Sequence, residues 1–572
     1  MTTAFVSIFS DLFNPVRLIG PIFDKELRVS SRRRRNYFLR FAYVVLLSLF
    51  ILSVWYSAVG IRSSGSAVYR ISRLSQAGRQ IITTVVWFQF VAAQLIAVVM
   101  LSSSISDEVR TGTLSVLMTT PISSFQIVTG KLLSKLLQLM LLLAMSLPLL
   151  AIIRVFGGVP WDYIVASVCI TLTAAVLAGA VSLLLSMTYR YAYTVILVTV
   201  MGYFVVFGVL PGLFNMLAVK GLFIFDREVT QSLIALTNPF WAFASTNAML
   251  LRAGLPKFFS WPAHCLLMWA VTAVLIAMSV WRVRRAAVGE AFGRAGKLRS
   301  RRALESESDI HIARSPTSTG PVKRVAGSPI IWKEMYQGFL GSSKTDRAIT
   351  VSLVALFCLI AVLLLLSPGG SVFPHYLMSG YYLIVMVRLA VCTAGSIAGE
   401  KEARTWPVLL MTPLTDKEII RGKAIAAVRR NIPLLLLYLG LFCIFYIRIF
   451  YTQSGIRMFP QVLISLPIVA IGVVCSVLFV VGCGTYFGVR LRTATSAIAA
   501  TACSYLTLTY LFCGMFNPLR YLIYFMVART RTYTLYVTLV SFAVSIVPTL
   551  AQAGIGLLLA RRAVRRLRRS IF

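Results

Sequence analysis

Along the chain, long apolar runs alternate with short polar or charged stretches, and many runs reach the roughly 20 residues a helix needs to cross a bilayer. The pattern predicts helices near 40–60, 82–104, 132–156, 163–187, 192–214, 259–281, 348–367, 377–399, 431–450, 461–487, 494–516 and 536–560. Twelve spans put both termini on one side. Ahead of them, Phe5, Ile8, Phe9, Leu12, Phe13, Val16 and Ile19 recur at three- and four-residue spacing between polar neighbours. That stripe predicts an amphipathic helix lying in the membrane interface, broken near Pro15. The expected fold is all-α and polytopic.

Composition narrows the class. Of 572 residues 58% are hydrophobic and 13% charged, too apolar for a soluble enzyme of this length. The formal net charge of +38 could suggest a nucleic-acid partner, but the basic residues follow membrane topology. They crowd Arg32–Arg35, the stretch from Arg282 to Arg347, that from Lys401 to Arg430, and the tail from Arg561 to Arg569. The positive-inside rule then makes both termini cytoplasmic, with a lipid bilayer and no nucleic acid as partner. Arg62, Arg70, Arg73 and Arg79 in the first outside loop run against the rule. The first twenty residues carry Asp11, Pro15 and Arg17 where a secretory signal would be apolar, so insertion is expected to rest on the spans themselves. Nine cysteines stand singly in apolar runs and three histidines lie far apart, a pattern that indicates neither a disulfide framework nor a metal site.

The Arg-, Ser- and Glu-rich stretch 282–328 reads as a basic cytoplasmic linker between two six-helix halves, 1–281 and 329–572. The halves share sequence as well as hydropathy. Glu108–Lys131 reads EVRTGTLSVLMTTPISSFQIVTGK and Glu400–Lys423 reads EKEARTWPVLLMTPLTDKEIIRGK, at a constant offset of 292 (400 − 108 and 423 − 131). Glu108/Glu400, Thr113/Thr405, Val116/Val408, Leu117/Leu409, Thr120/Thr412, Pro121/Pro413 and Lys131/Lys423 are among the identical pairs. Upstream, Pro21–Leu27 (PIFDKEL) is answered by Pro329–Met335 (PIIWKEM). With an even number of spans in each half, the repeats are parallel.

Each block joins two spans through a charged helical stretch, a Thr-Pro break and a new helix start. Pro121 and Pro413 disfavour helical geometry in Thr120 and Thr412. Ser123 with Gln126, and Thr415 with Glu418, form capping-box patterns that restart the chain. A short helix is therefore expected from Asp107 to Met118 and from Glu400 to Met411. A plain connection needs only a few residues, whereas about two dozen stay in register here, which favours a docking surface for a cytoplasmic partner over an ordinary loop.

These residues resemble the ABC-2 type transporter permeases, in particular permeases associated with maturation of multicopper enzymes and nitrous-oxide reductase. The resemblance rests on the P-I-x-x-K-E segment, the Glu-to-Thr stretch of each block, the Thr-Pro-[Ile/Leu]-[Ser/Thr] break and the I-x-x-G-K restart. It implies a fused pair of permease units in a bacterial plasma membrane, driven by two copies of a separate ABC ATPase subunit that binds the ATP and Mg. It also implies that coupling helices carry Glu108, Arg110, Thr113 and Leu117 in one half and Glu400, Thr405 and Leu409 in the other. Arg404 stands where Gly112 is, and Trp406-Pro407 where Leu114-Ser115 are, so the second coupling helix is expected to be kinked or weaker.

Chemistry missing from the sequence agrees with a non-enzymatic subunit. Gly130-Lys131 and Gly422-Lys423 lack the first glycine and the Ser/Thr of a phosphate-binding loop. The 18 acids fall outside the centres of the spans, unlike those of ion-coupled carriers. Arg388 is the exception among the basic residues, near the middle of the eighth span, with Ile96 as its counterpart; with Gln89 and Gln94 it makes a candidate translocation path. The sequence thus reads as the permease of an ATP-driven exporter. The alternatives are a non-transporting membrane scaffold or mechanotransmission protein using the same ATPase and, less favoured, a secondary carrier.

Overall fold

The computed structural model describes residues 21–26, scattered positions from 28 to 52, and 67–151, 158–251, 260–308, 327–336, 343–366, 373–452, 459–509 and 535–567, with 112, 149, 190 and 222–226 excepted. Among the described residues every regular element is helical. Among the described residues nine helices are long and apolar enough to cross a membrane, the pattern of a multi-pass membrane protein. They correspond to nine of the twelve predicted spans. Of the other three, 40–60 and 494–516 fall partly on residues outside the described set, 536–560 lies on the helix Leu535–Arg566, whose side chains up to 545 are not described, and the 5–19 stripe lies wholly outside the set.

In the first half α1 (Ala67–Thr111) leads through α2 (Leu114–Leu117) to α3 (Ser124–Ala144) and α4 (Trp161–Ser186). Then α5 (Ala192–Phe204) passes through a π-helical turn, Val205–Val209, into α6 (Leu210–Val219). Two short helices, α7 (Arg227–Thr237) and α8 (Pro239–Leu251), precede α9 (Trp261–Ser308). The second half contains α10 (Pro329–Tyr336), α11 (Ser343–Leu366), α12 (Phe373–Glu402), α13 (Trp406–Leu410), α14 (Asp416–Thr452), α15 (Phe459–Arg490) and α16 (Leu535–Arg566).

Two expectations change. Helix α1 begins at Ala67, not near 82, because the segment before the span contains no proline and its arginines are good helix formers. Helix α9 runs through the expected boundary at 281/282 to Ser308, since its Arg-, Ala-, Glu- and Leu-rich continuation favours helix as strongly as the apolar part does. The rest of that linker, 309–326, is outside the described residues.

Helices α4 and α12 are the most buried spans of their halves. Small residues allow this. Ala174, Ala175, Ala178 and Ala180 bring α4 against its neighbours, and all four are fully buried. In the second half α15 and α16 meet backbone to backbone, because a Cβ on Gly482 would overlap the carbonyl of Gly556. Hydroxyls inside the spans bond their own helix: Ser106 donates to the Ser102 carbonyl at 2.7 Å and Thr171 to that of Ser167 at 2.6 Å. In hydrocarbon those donors have no water to turn to.

The halves share a core. Tyr193, Leu197, Val209 and Met216 pack in one cluster with Leu353, Tyr381, Val385 and Leu389. Gly380 of α12 leaves the space that the Phe204 ring occupies. Just past Phe204, the π turn exposes the Phe207 carbonyl, which accepts a 2.7 Å bond from the Asn238 side chain. The Asn238 Oδ1 in turn accepts the Phe240 amide at 2.9 Å, so one residue caps α8 and fastens it to the bulge.

Candidate functional site

Both repeated blocks lie at the same ends of corresponding helices and make the same bonds 292 residues apart. Where α12 ends, the Thr405 amide donates to the Glu400 carbonyl at 3.0 Å and the Arg404 amide to that of Lys401 at 3.1 Å. This pair of bonds is a Schellman closure, which puts Arg404 in the left-handed region at φ 57°. Where α1 ends, the Thr113 amide donates to the Glu108 carbonyl at 3.0 Å. The sequence has Gly112, the residue best suited to that conformation, at the position equivalent to Arg404.

Each expected coupling helix is therefore two pieces: the last turn of a spanning helix and a separate short helix, α2 or α13. Pro407 sits in the first turn of α13, where a proline needs no amide partner, so it does not kink that helix. Strain in the second block falls on Arg404 instead.

Both short helices end alike. Thr120 Oγ1 donates to the Leu117 carbonyl at 2.5 Å and Thr412 Oγ1 to that of Leu409 at 2.6 Å. Pro121 and Pro413 follow, and both capping boxes then form. Gln126 N donates to Ser123 Oγ at 3.2 Å and Ser123 N to Gln126 Oε1 at 3.2 Å. In the second block Glu418 N donates to Thr415 Oγ1 at 3.3 Å and Thr415 N to Glu418 Oε2 at 2.8 Å.

The side chains divide into inward and outward sets. Leu114 and Trp406 anchor the short helices in separate apolar clusters. Leu117 and Leu409, expected on the docking face, are half-buried. Glu108 and Glu400 also turn inward: Glu108 pairs with Lys131 at 2.6 Å, and Glu400 with Lys423 at 3.0 Å and Lys333 at 3.1 Å. The Arg110 side chain is outside the described set. The outward positions are Val116 and Val408, 61% and 67% exposed, together with Met411. Sequence identity between the blocks marked the two valines, but helical periodicity over so short a stretch did not show which residues point out.

Arg388 has a partner that the sequence did not reveal. Its Nη2 lies 3.5 Å from Asp346 and 2.9 Å from Thr350 Oγ1, both on α11, while Arg430 of α14 holds the other Asp346 oxygen at 2.6 Å. Arg388 is 1% exposed, and its Nε and Nη1 have no hydrogen-bond partner among the described residues. At the far end of the same two helices Arg448 donates to the Leu364 carbonyl. Asp346 to Leu364 and Arg430 to Arg448 are both intervals of 18 residues (364 − 346 and 448 − 430), about 27 Å of helix, close to a hydrocarbon core of roughly 30 Å. Arg388 stands at the middle of α12, which continues beyond it for 14 residues (402 − 388), about 21 Å.

Gln89 and Gln94 are buried on α1, where Gln94 donates to the Phe90 carbonyl at 3.3 Å. Their neighbour Phe90 belongs to one apolar cluster, and Val387 and Leu389 beside Arg388 belong to another. The three polar residues expected on one path are thus held in different parts of the bundle.

No curated protein matches the chain. Residues 20–288, which hold the first block and the helices that frame it, match the family model described as ABC-2 family transporter protein.

Proposed function

We propose that the chain is the permease subunit of an ATP-driven exporter in a bacterial plasma membrane, with α2 and α13 as the cytoplasmic levers on which two copies of a separate ATPase subunit dock. The observation that carries this is the pair of blocks, bonded alike at corresponding positions, each of which buries one side of a short helix and exposes a valine on the other. An exposed apolar tip on a braced helix suits insertion into a partner's cleft. The match of residues 20–288 to the ABC-2 family model supports an ABC transporter subunit. ATP and Mg belong to the partner, and its closure on ATP would press both levers and reorient the helices around the shared core.

The test is copurification of a P-loop ATPase with the tagged full-length chain, followed by ATP-dependent transport in vesicles. Val116→Asp with Val408→Asp is expected to release the ATPase while leaving the membrane protein folded. If the ATPase stays bound to that variant, the levers are not the docking site. If the complex hydrolyses ATP in a sealed membrane without moving any cargo, a mechanotransmission scaffold replaces the transporter.

A further inference from the structure

Beyond the docking tips, the two levers are joined to the rest of the chain in different ways. Lys423, 2% exposed in its side chain, is held by Glu334 at 2.6 Å, Glu400 at 3.0 Å and the Ser396 carbonyl at 3.1 Å. Lys333 completes the group at 3.1 Å from Glu400. These residues come from three elements: the elbow helix α10, the end of α12 that leads into the lever, and the start of α14. Ile330 of the elbow also packs directly over Gly422, so the contact is apolar as well as ionic.

The first half has the same parts wired differently. Lys131, 5% exposed, takes Glu108 at 2.6 Å and the Ser104 carbonyl at 2.5 Å. Ser104 and Ser396 are themselves 292 apart, so the lysine-to-lever bond is the same in both halves. Glu26, however, the counterpart of Glu334, pairs one turn further along α3 with Lys135 at 2.9 Å. Position 427, equivalent to Lys135, is Ala427, and Lys25, equivalent to Lys333, is exposed. In the second half the buried lysine itself takes a carboxylate from the elbow as well as one from the lever, whereas in the first half Lys131 takes the lever's carboxylate and the elbow's Glu26 reaches Lys135.

We infer that Lys131 and Lys423 are positioning residues that carry displacement of each lever into α3 and α14, and that the second joint, with its elbow wired in, is the stiffer of the two, so the two motor strokes have unequal effects. A buried ammonium cannot leave its carboxylate without stranding a charge. Lever and spanning helix therefore move together or pay for separation. Where a second carboxylate and a second lysine share the site, the elbow moves with them. This inference rests on the coupling reading above.

Hydrogen exchange of the full chain in complex with its copurified ATPase, with and without Mg-ATP, tests it. In the wild-type complex ATP is expected to alter exchange in both α3 and α14. Lys423→Gln is expected to keep the ATPase bound but lose the ATP response of α14, and Lys131→Gln to weaken that of α3 several-fold less. The charge swap Glu108→Lys with Lys131→Glu is expected to restore the α3 response, which a merely space-filling lysine would not permit. Should Lys423→Gln fail to fold, Lys333→Met, at a half-exposed position, is expected to reduce the α14 response alone. Equal responses in the two single variants, an unchanged α14 response in Lys333→Met, or no rescue by the swap would overturn the joint. Failure of the wild-type chain to hold an ATPase would instead overturn the coupling reading.

Discussion

Arg388 and Asp346 meet at 3.5 Å across two neighbouring spans, with the arginine almost completely shielded from solvent. A lone guanidinium in a spanning helix becomes tolerable because a carboxylate from α11 stands beside it and the Thr350 hydroxyl accepts one of its hydrogen bonds. Breaking a buried pair from one side costs about 3–5 kcal/mol. Asp346→Asn is therefore expected to lower the thermal midpoint of the detergent-solubilised protein sharply, and pairing it with Arg388→Gln to recover part of the loss. Arg430→Gln should cost less, since its side chain is 15% exposed and can turn toward water. Equal midpoints for Asp346→Asn and the wild type would show that the pair contributes nothing.

Arg404 occupies a left-handed conformation at φ 57° that glycine adopts freely. A non-glycine residue there costs roughly 1–2 kcal/mol. Arg404→Gly is expected to stabilise the second block by about 1 kcal/mol, less than the full strain because glycine also frees the unfolded chain. The change would appear as slower amide exchange at Thr405 and Trp406. Faster exchange there would mean that the arginine side chain contributes more than its backbone loses.

The α15–α16 contact supplies a steric test within one helix. Gly482→Ala would drive a methyl group into the Gly556 carbonyl, while a Cβ at Gly472 meets nothing within 4 Å. The first is expected to destabilise by about 1–3 kcal/mol or more. The second should be neutral or slightly stabilising, since alanine favours helix by up to about 1 kcal/mol over glycine. Thermal midpoints of the two variants should separate in that order.

Both capping boxes should respond to loss of the hydroxyl. Ser123→Ala removes the acceptor for the Gln126 amide, and Thr415→Ala that for Glu418. Each is expected to cost about 1 kcal/mol, seen as faster exchange in the first turn of α3 or α14 only. Spread of the effect along the whole helix would indicate that these caps govern more than the local restart.

Hydropathy by itself determined that this is a many-spanning helical protein and found nine candidate spans, with ends off by up to 15 residues, because a bilayer imposes one requirement, a long apolar helix, that composition satisfies visibly. Register between the two blocks likewise determined the breaks at Pro121 and Pro413 and the caps at Ser123 and Thr415, since proline geometry and hydroxyl capping act within four residues. What only the tertiary structure decided are relations between helices far apart in sequence. Asp346 looks like the end of one span until folding sets it against Arg388 and Arg430. Glu108 and Glu400 look like exposed charges until Lys131 and Lys423 are seen to face them. Even the direction in which Val116 and Val408 point depends on Leu114 and Trp406 being buried next to them. A charge pair across three helices has no period in the sequence, because its geometry is set by how the bundle packs and not by the spacing along any one chain segment.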